Sequence, residues 1–195
     1  MLFRSVAEAP EGVLAGDESQ SLTGMPRFLT VFFILIITAV VSAAQNAVTY
    51  IADPEHPGEK MLLGAATKQA IINDSSFSWY VRNQKGYEPS TSITNVVSRA
   101  KDSLSFIVFA GTWCDDSQFI LPRFFRLLEL AGVDDSRVHF YAVDRDKKTP
   151  DGSADTFHIE RVPTMIVMAS GKEIGRVVEY GKTGHWDEEL AALVK

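Results

Sequence analysis

Phe106-Ile-Val-Phe-Ala-Gly-Thr-Trp-Cys114-Asp-Asp-Ser117 puts the only cysteine of the chain where an apolar run meets a helical pattern. The run from Leu104 to Ala110 stops at Gly111-Thr112, as a buried strand does on reaching a loop. Beyond it, Phe119, Ile120, Phe124, Leu127, Leu128 and Leu130 recur at helical spacing over Gln118 to Leu130. The thiol therefore sits where a strand hands over to a helix. Unpaired N–H groups and the positive end of the helix dipole meet there, and both favour a thiolate, the reactive form of cysteine.

These residues resemble the thioredoxin family. Trp113-Cys114-Asp115-Asp116-Ser117 is similar to that family's Trp-Cys-x-x-Cys site with serine at the second cysteine. Pro122 matches the proline that kinks the family's site helix. Val162-Pro163-Thr164 resembles its cis-proline loop, and Lys172 to Arg176 after a glycine turn resembles its last hairpin. The resemblance runs from Ser103 to Lys195. It implies a thioredoxin-like α/β fold, a central mixed sheet flanked by helices, preceded here by a helical extension. It further implies Cys114 and Ser117 as catalytic residues and Trp113, Val162, Pro163 and Thr164 as a substrate-binding groove. In such a groove the Val162 backbone pairs with an extended substrate segment. Two positions depart from the pattern. Ser117 rules out an internal disulfide, and the family's buried acid falls on Val108.

Composition sets the outer limits. The chain has 195 residues, 46% apolar and 23% charged, enough for one globular domain and an extra segment. A net charge of −6 with no basic run argues against a nucleic-acid surface. One cysteine excludes a disulfide framework and a cysteine-based zinc site. His56, His139, His158 and His185 are scattered, without metal-ligand spacing. No metal and no cofactor are expected.

Five stretches follow one another along the chain, the last of them carrying the site. Residues 1–24 are acidic and read as a disordered leader, or as sequence upstream of a start at Met25. Residues 25–44 carry Arg27, an apolar core from Phe28 to Val41 and the small residues Ser42-Ala43-Ala44. That is the pattern of a secretory signal, or of a membrane anchor through 28–44 if it stays uncleaved. It implies an exported, periplasmic or otherwise extracytoplasmic protein. Residues 45–60 read as a turn-rich linker, 61–102 as a helical extension and 103–195 as the thioredoxin-like domain. Within the extension, short helices are expected at Thr67 to Asp74 and around Phe77 to Val81. A longer one runs through Ile93 to Ala100, capped by Ser92 or Thr94. Its aromatics belong either to the core or to a partner surface.

After the site, Gly132 is expected to close the helix. Arg137 to Val143, Thr164 to Met168 and Glu173 to Tyr180 read as strands, and His185 to Val194 as a terminal helix. Ala154 to Ile159 reads as a short helix. Asp144, Arg145 and Asp146 form a charged loop, either solvated or facing substrate.

Thiol–disulfide exchange needs a thiolate that attacks a disulfide and forms a mixed disulfide. Cys114 can supply that half. A thiol from outside must then release the product, which suits isomerisation, exchange with small thiols or client trapping. A hydrogen bond from the Ser117 hydroxyl to the sulfur would favour the thiolate, whereas Asp115 and Asp116 oppose it. The expected partners are protein or small-molecule thiols and disulfides, and a lone exposed thiol predicts a disulfide-linked dimer or a small-thiol adduct. The alternative is a non-catalytic binding module of the same fold.

Overall fold

The structure is a computed structural model and describes residues 48–194. Six strands form one sheet in the order β1-β2-β4-β3-β5-β6: β1 Thr49–Ala52, β2 Lys60–Ala66, β3 Leu104–Ala110, β4 Val138–Ala142, β5 Thr164–Ala169 and β6 Lys172–Val178. The helices in chain order are α1 Lys68–Ile72, α2 Trp79–Gln84, α3 Thr91–Ala100, α4 Asp115–Leu130, α5 Ser153–Thr156 and α6 Trp186–Leu193. This is the mixed sheet with flanking helices expected of a thioredoxin-like α/β fold.

Strand β3 organises the rest because both its faces are buried. Phe106, Val108 and Ala110 join the larger core with Phe124, Phe125 and Leu128 of α4. Phe109 points the other way, into a smaller cluster with Val143, Ala154, Val162 and Ile166. The alternation is the period of two that a strand imposes. Phe106 and Phe124 meet edge to face with ring centroids 5.9 Å apart. Full burial of one such ring stabilises the fold by roughly 2–3 kcal/mol.

Pairing directions bring three loops to one end of the sheet. β3 runs parallel to β4, with Ala110 opposite Ala142, so both strands finish at the same edge. β5 runs antiparallel to β3, with Thr164 opposite Phe109, so β5 begins there. The loops after Ala110, after Ala142 and before Thr164 therefore converge.

Helix α4 follows from local chemistry. Asp115 and Asp116 sit in its first turn, where the helix dipole favours anions. Its end is closed at Gly132, whose φ of 72° is the left-handed conformation that glycine tolerates. The Val133 N–H then returns to the Leu128 carbonyl at 2.9 Å. Pro122 lies inside the helix and has no N–H for the carbonyl four residues back. That carbonyl, of Gln118, accepts from Asn83 Nδ2 on α2 at 2.9 Å.

Three expectations need correction. The stretch 45–60 is not all linker: Thr49–Ala52 pairs with Lys60–Leu63, and the Asp53 N–H to Glu59 carbonyl bond at 2.9 Å closes the turn between them. The region 61–102 is not wholly helical, since it begins with β2, whose Gly64 to Ala66 pair with Phe140 to Ala142. Helix α3 is capped by Ser90, whose hydroxyl oxygen accepts the Ile93 N–H at 3.4 Å, rather than by Ser92 or Thr94. The leader at 1–24, the signal or anchor at 25–44 and the first residues of 45–60 lie outside the described residues. Among the described residues no helix is long and apolar enough to cross a membrane.

Candidate functional site

Cys114 is the N-cap residue of α4, with extended backbone (φ −93°, ψ 123°), and no side-chain cap bond is made there. Its N–H donates to the Gly111 carbonyl at 3.0 Å, which closes the turn out of β3. The side chain is half-buried, and Sγ donates to the Val162 carbonyl at 3.4 Å. The Val162–Pro163 peptide bond is cis. The Pro163 carbonyl accepts the Glu179 N–H at 2.7 Å, and this ties the loop before β5 to the turn after β6.

Trp113 packs against the start of the loop. A Cβ on Gly111 would lie 2.6 Å from Trp113 Cε2, so the close approach of the indole requires glycine there. Trp113 Nε1 donates to the Val143 carbonyl at 3.0 Å. The Arg145 guanidinium carbon stands 5.0 Å from the ring centroid and Lys147 Nζ 5.6 Å.

Ser117 is fully buried, and its hydroxyl oxygen accepts the Gly111 N–H at 3.2 Å. The expected bond from this hydroxyl to the sulfur is not made; the oxygen faces the Gly111 N–H of the turn instead. Thr164 is buried and its hydroxyl donates to the Arg161 carbonyl at 2.7 Å. It therefore braces the loop from within and offers no surface to a substrate. Val162 and Pro163 are buried as well. Among the described residues nothing in the fold takes up the Val162 N–H. Of the expected groove residues, Trp113 alone keeps an appreciable accessible side chain.

The acidic pair divides. Asp115 is exposed, whereas Asp116 is half-buried against Tyr180. Burial, then the Asp116 carboxylate, push the Tyr180 phenol above its ordinary value, so it stays protonated. Tyr180 also meets Phe119 with ring centroids 5.9 Å apart, and the Arg123 guanidinium lies over Phe119 at 3.4 Å. Sequence reasoning passed over this aromatic flank. Its one local signal is Phe119, an exposed phenylalanine on a helix whose other phenylalanines, Phe124 and Phe125, are buried.

A second omission concerns Arg145, foreseen only as a loop charge. Its Nε and Nη2 bind the two oxygens of Asp53, each at 2.8 Å, and Nη1 pairs with Glu55. Asp53 is held well below the usual carboxylate range, chiefly by this guanidinium against the opposing cost of its burial. Asp53, His56 and Glu59 hold ligand-type atoms within 4.8 Å of one another. The guanidinium already occupies both Asp53 oxygens and approaches His56 Nδ1 at 2.8 Å, so the cationic place in that cluster is taken. An open cleft of about 640 Å³ adjoins it, lined by Asp53, Lys60, Trp79, Thr112, Trp113 and Gln118.

The thioredoxin family model matches residues 89–193, more than half of the chain, and the chain belongs to the thioredoxin family. A TPR repeat-containing thioredoxin of Arabidopsis thaliana is 29% identical over 123 residues, which are 63% of this chain and 29% of that protein. Thioredoxin of Staphylococcus saprophyticus is 28% identical over 87 residues, 45% of this chain and 79% of that one. The chain thus spans less than a third of the length of the Arabidopsis relative. Among solved structures, a Pseudomonas aeruginosa protein of unknown function is 15% identical, with a TM-score of 0.48, over 74% of this chain and 98% of that one. The fold is of the thiol–disulfide oxidoreductase type.

Proposed function

We propose that the chain performs thiol–disulfide exchange with a single thiol, Cys114. The reading is carried by the position of that thiol, half-exposed at the start of α4 and beside the Val162–Pro163 loop. The Cys114 thiolate attacks one sulfur of a substrate disulfide. A Cys114–S–S–R bond forms, the substrate S–S bond breaks, and the other sulfur leaves as a thiolate. No second cysteine follows, so a thiolate from the substrate or from a small thiol attacks the mixed disulfide. Cys114 is regenerated and a new disulfide departs. One disulfide is exchanged for another without net oxidation, which is the chemistry of isomerisation, small-thiol exchange and client trapping.

In this scheme Trp113 walls the groove, the free Val162 N–H pairs with an extended substrate backbone, and Pro163 shapes that loop. Ser117 serves the scaffold through Gly111. Asp116, shared with Tyr180, tempers the negative charge facing the sulfur. The sequence of residues 25–44 supports export, where a lone thiol also pairs with a small thiol or with a second copy.

A non-catalytic binding module is the second reading. The hydrogen bond from Cys114 Sγ to the Val162 carbonyl favours it, because that bond is made by the protonated thiol. One experiment separates the two. The full chain is incubated with a disulfide-bonded peptide and examined by intact mass spectrometry. A peptide adduct on Cys114 that is lost in Cys114→Ser, together with loss of exchange activity, supports catalysis. Absence of any adduct, with client binding retained in Cys114→Ser, overturns it.

A further inference from the structure

We propose that Asp53 and Arg145 together position Trp113 beside Cys114, so that the β1–β2 hairpin, which precedes the matched family region, is a working part of the exchange site. This inference rests on the exchange reading above.

The hairpin reaches the site by two separate ties. In the first, the β2 backbone N–H of Leu62 donates to Thr112 Oγ1 at 3.1 Å, one residue before Trp113. In the second, Asp53 at the hairpin turn grips Arg145 through two parallel bonds of 2.8 Å. The Asp53 side chain is 3% exposed, and that of Arg145 16%. Asp53 is further fixed by the Glu55 N–H at 3.0 Å.

Such a pair is poor value as a source of stability. Taking two charges out of water costs several kcal/mol, and their attraction commonly does no more than offset it. What a bidentate fork does supply is a fixed direction. Here the fixed guanidinium stands over Trp113. Besides Arg145 and Lys147 above the ring, the indole is held by the Val143 carbonyl at its nitrogen, by contact with Gly111 and by packing at the edge of the Phe109 cluster, and the cations are what covers its cleft side. Removing the fork frees the cation and opens the indole toward the adjoining cleft. Arg145 is thus a positioning residue that acts through Trp113.

The test compares wild type with Asp53→Asn, Arg145→Met and Arg145→Lys in the full chain. Two readouts are taken. Acrylamide quenching of tryptophan fluorescence reports mainly on Trp113, since Trp79 and Trp186 are only 6% and 5% exposed; Trp113→Phe supplies the baseline. Exchange with a disulfide-bonded peptide gives KM and kcat, and iodoacetamide alkylation gives the intrinsic reactivity of Cys114. The expected result is greater quenching and a KM raised by roughly tenfold or more in Asp53→Asn and Arg145→Met, as for a misplaced binding group. Alkylation stays near wild type, and Arg145→Lys falls between. Unchanged quenching in a folded Arg145→Met or Arg145→Lys overturns the proposal. So does alkylation that falls in step with exchange, since the effect would then lie on the thiol. Should wild type show no exchange at all, the functional reading fails while quenching still decides the positioning role.

Discussion

Asn83 donates its side-chain amide to the Gln118 carbonyl at 2.9 Å, supplying the donor that Pro122 cannot. The proline therefore sits in the site helix without leaving an orphaned carbonyl, and α2 is fastened to the first turns of α4. Asn83→Ala is expected to lower stability by about 1 kcal/mol, the usual cost of a partly buried group left without its partner. A shift of the urea midpoint at constant slope checks this. Asn83→Asp should cost more at neutral pH, because a carboxylate then faces a carbonyl, and part of the loss should return on acidification.

Asp53 gives the protein an acid-sensitive component. Its carboxyl titrates lower in the folded chain than in the unfolded one. The stabilisation is therefore fully present above the ordinary carboxylate value, about 3.9, and drains away as pH falls below it toward the folded value. Asp53→Asn should flatten the stability profile over that acid window and lower stability at pH 7. Thermal melts of both proteins from neutral to strongly acid pH provide the comparison; parallel curves would refute the assignment.

Phe124, on α4, is fully buried against Phe106 of β3. Phe124→Ala should cost about 3–5 kcal/mol, from lost burial and the cavity left behind. Phe119→Ala, on the exposed side of the same helix, should change stability far less. Denaturant unfolding of the pair distinguishes core from flank.

Gly111→Ala tests the packing of the indole. The added methyl would meet Trp113 at 2.6 Å, so the ring or the loop must shift. The expected outcome is a folded protein with greater acrylamide quenching of Trp113 and slower exchange with a peptide disulfide. Wild-type values in both measurements would mean that the loop absorbs the methyl without moving the ring.

The parts of the fold that were legible in the sequence are those whose neighbours are close in the chain. Leu104 to Ala110, the helix from Asp115 to Leu130 and the hairpin around Ser170-Gly171 carry their own period and punctuation. The β1–β2 hairpin does not. Thr49–Ala52 is four residues long and mostly exposed, so no alternation marks it. Lys60–Ala66 ends in Gly64-Ala-Ala, which has little strand character, and becomes a strand through pairing with Tyr141 and Ala142 far along the chain. The same distance hid the Asp53–Arg145 pair, separated by 92 residues. At the site, the spacing located Cys114 at a helix start. It could not reveal that the Ser117 hydroxyl faces Gly111, because that depends on how the turn folds back.

Ser117 also bears on how this chain could change over evolutionary time. Its oxygen is the acceptor for the Gly111 N–H in a place with no exposed surface. Ser117→Cys would create a two-cysteine sequence but would substitute a weak sulfur acceptor and a larger atom at that point. A dithiol at this site is therefore disfavoured by the scaffold itself, independently of redox chemistry. A second cysteine at this position asks for a compensating change at Gly111 or its turn, and the single-thiol site is the arrangement that this loop favours.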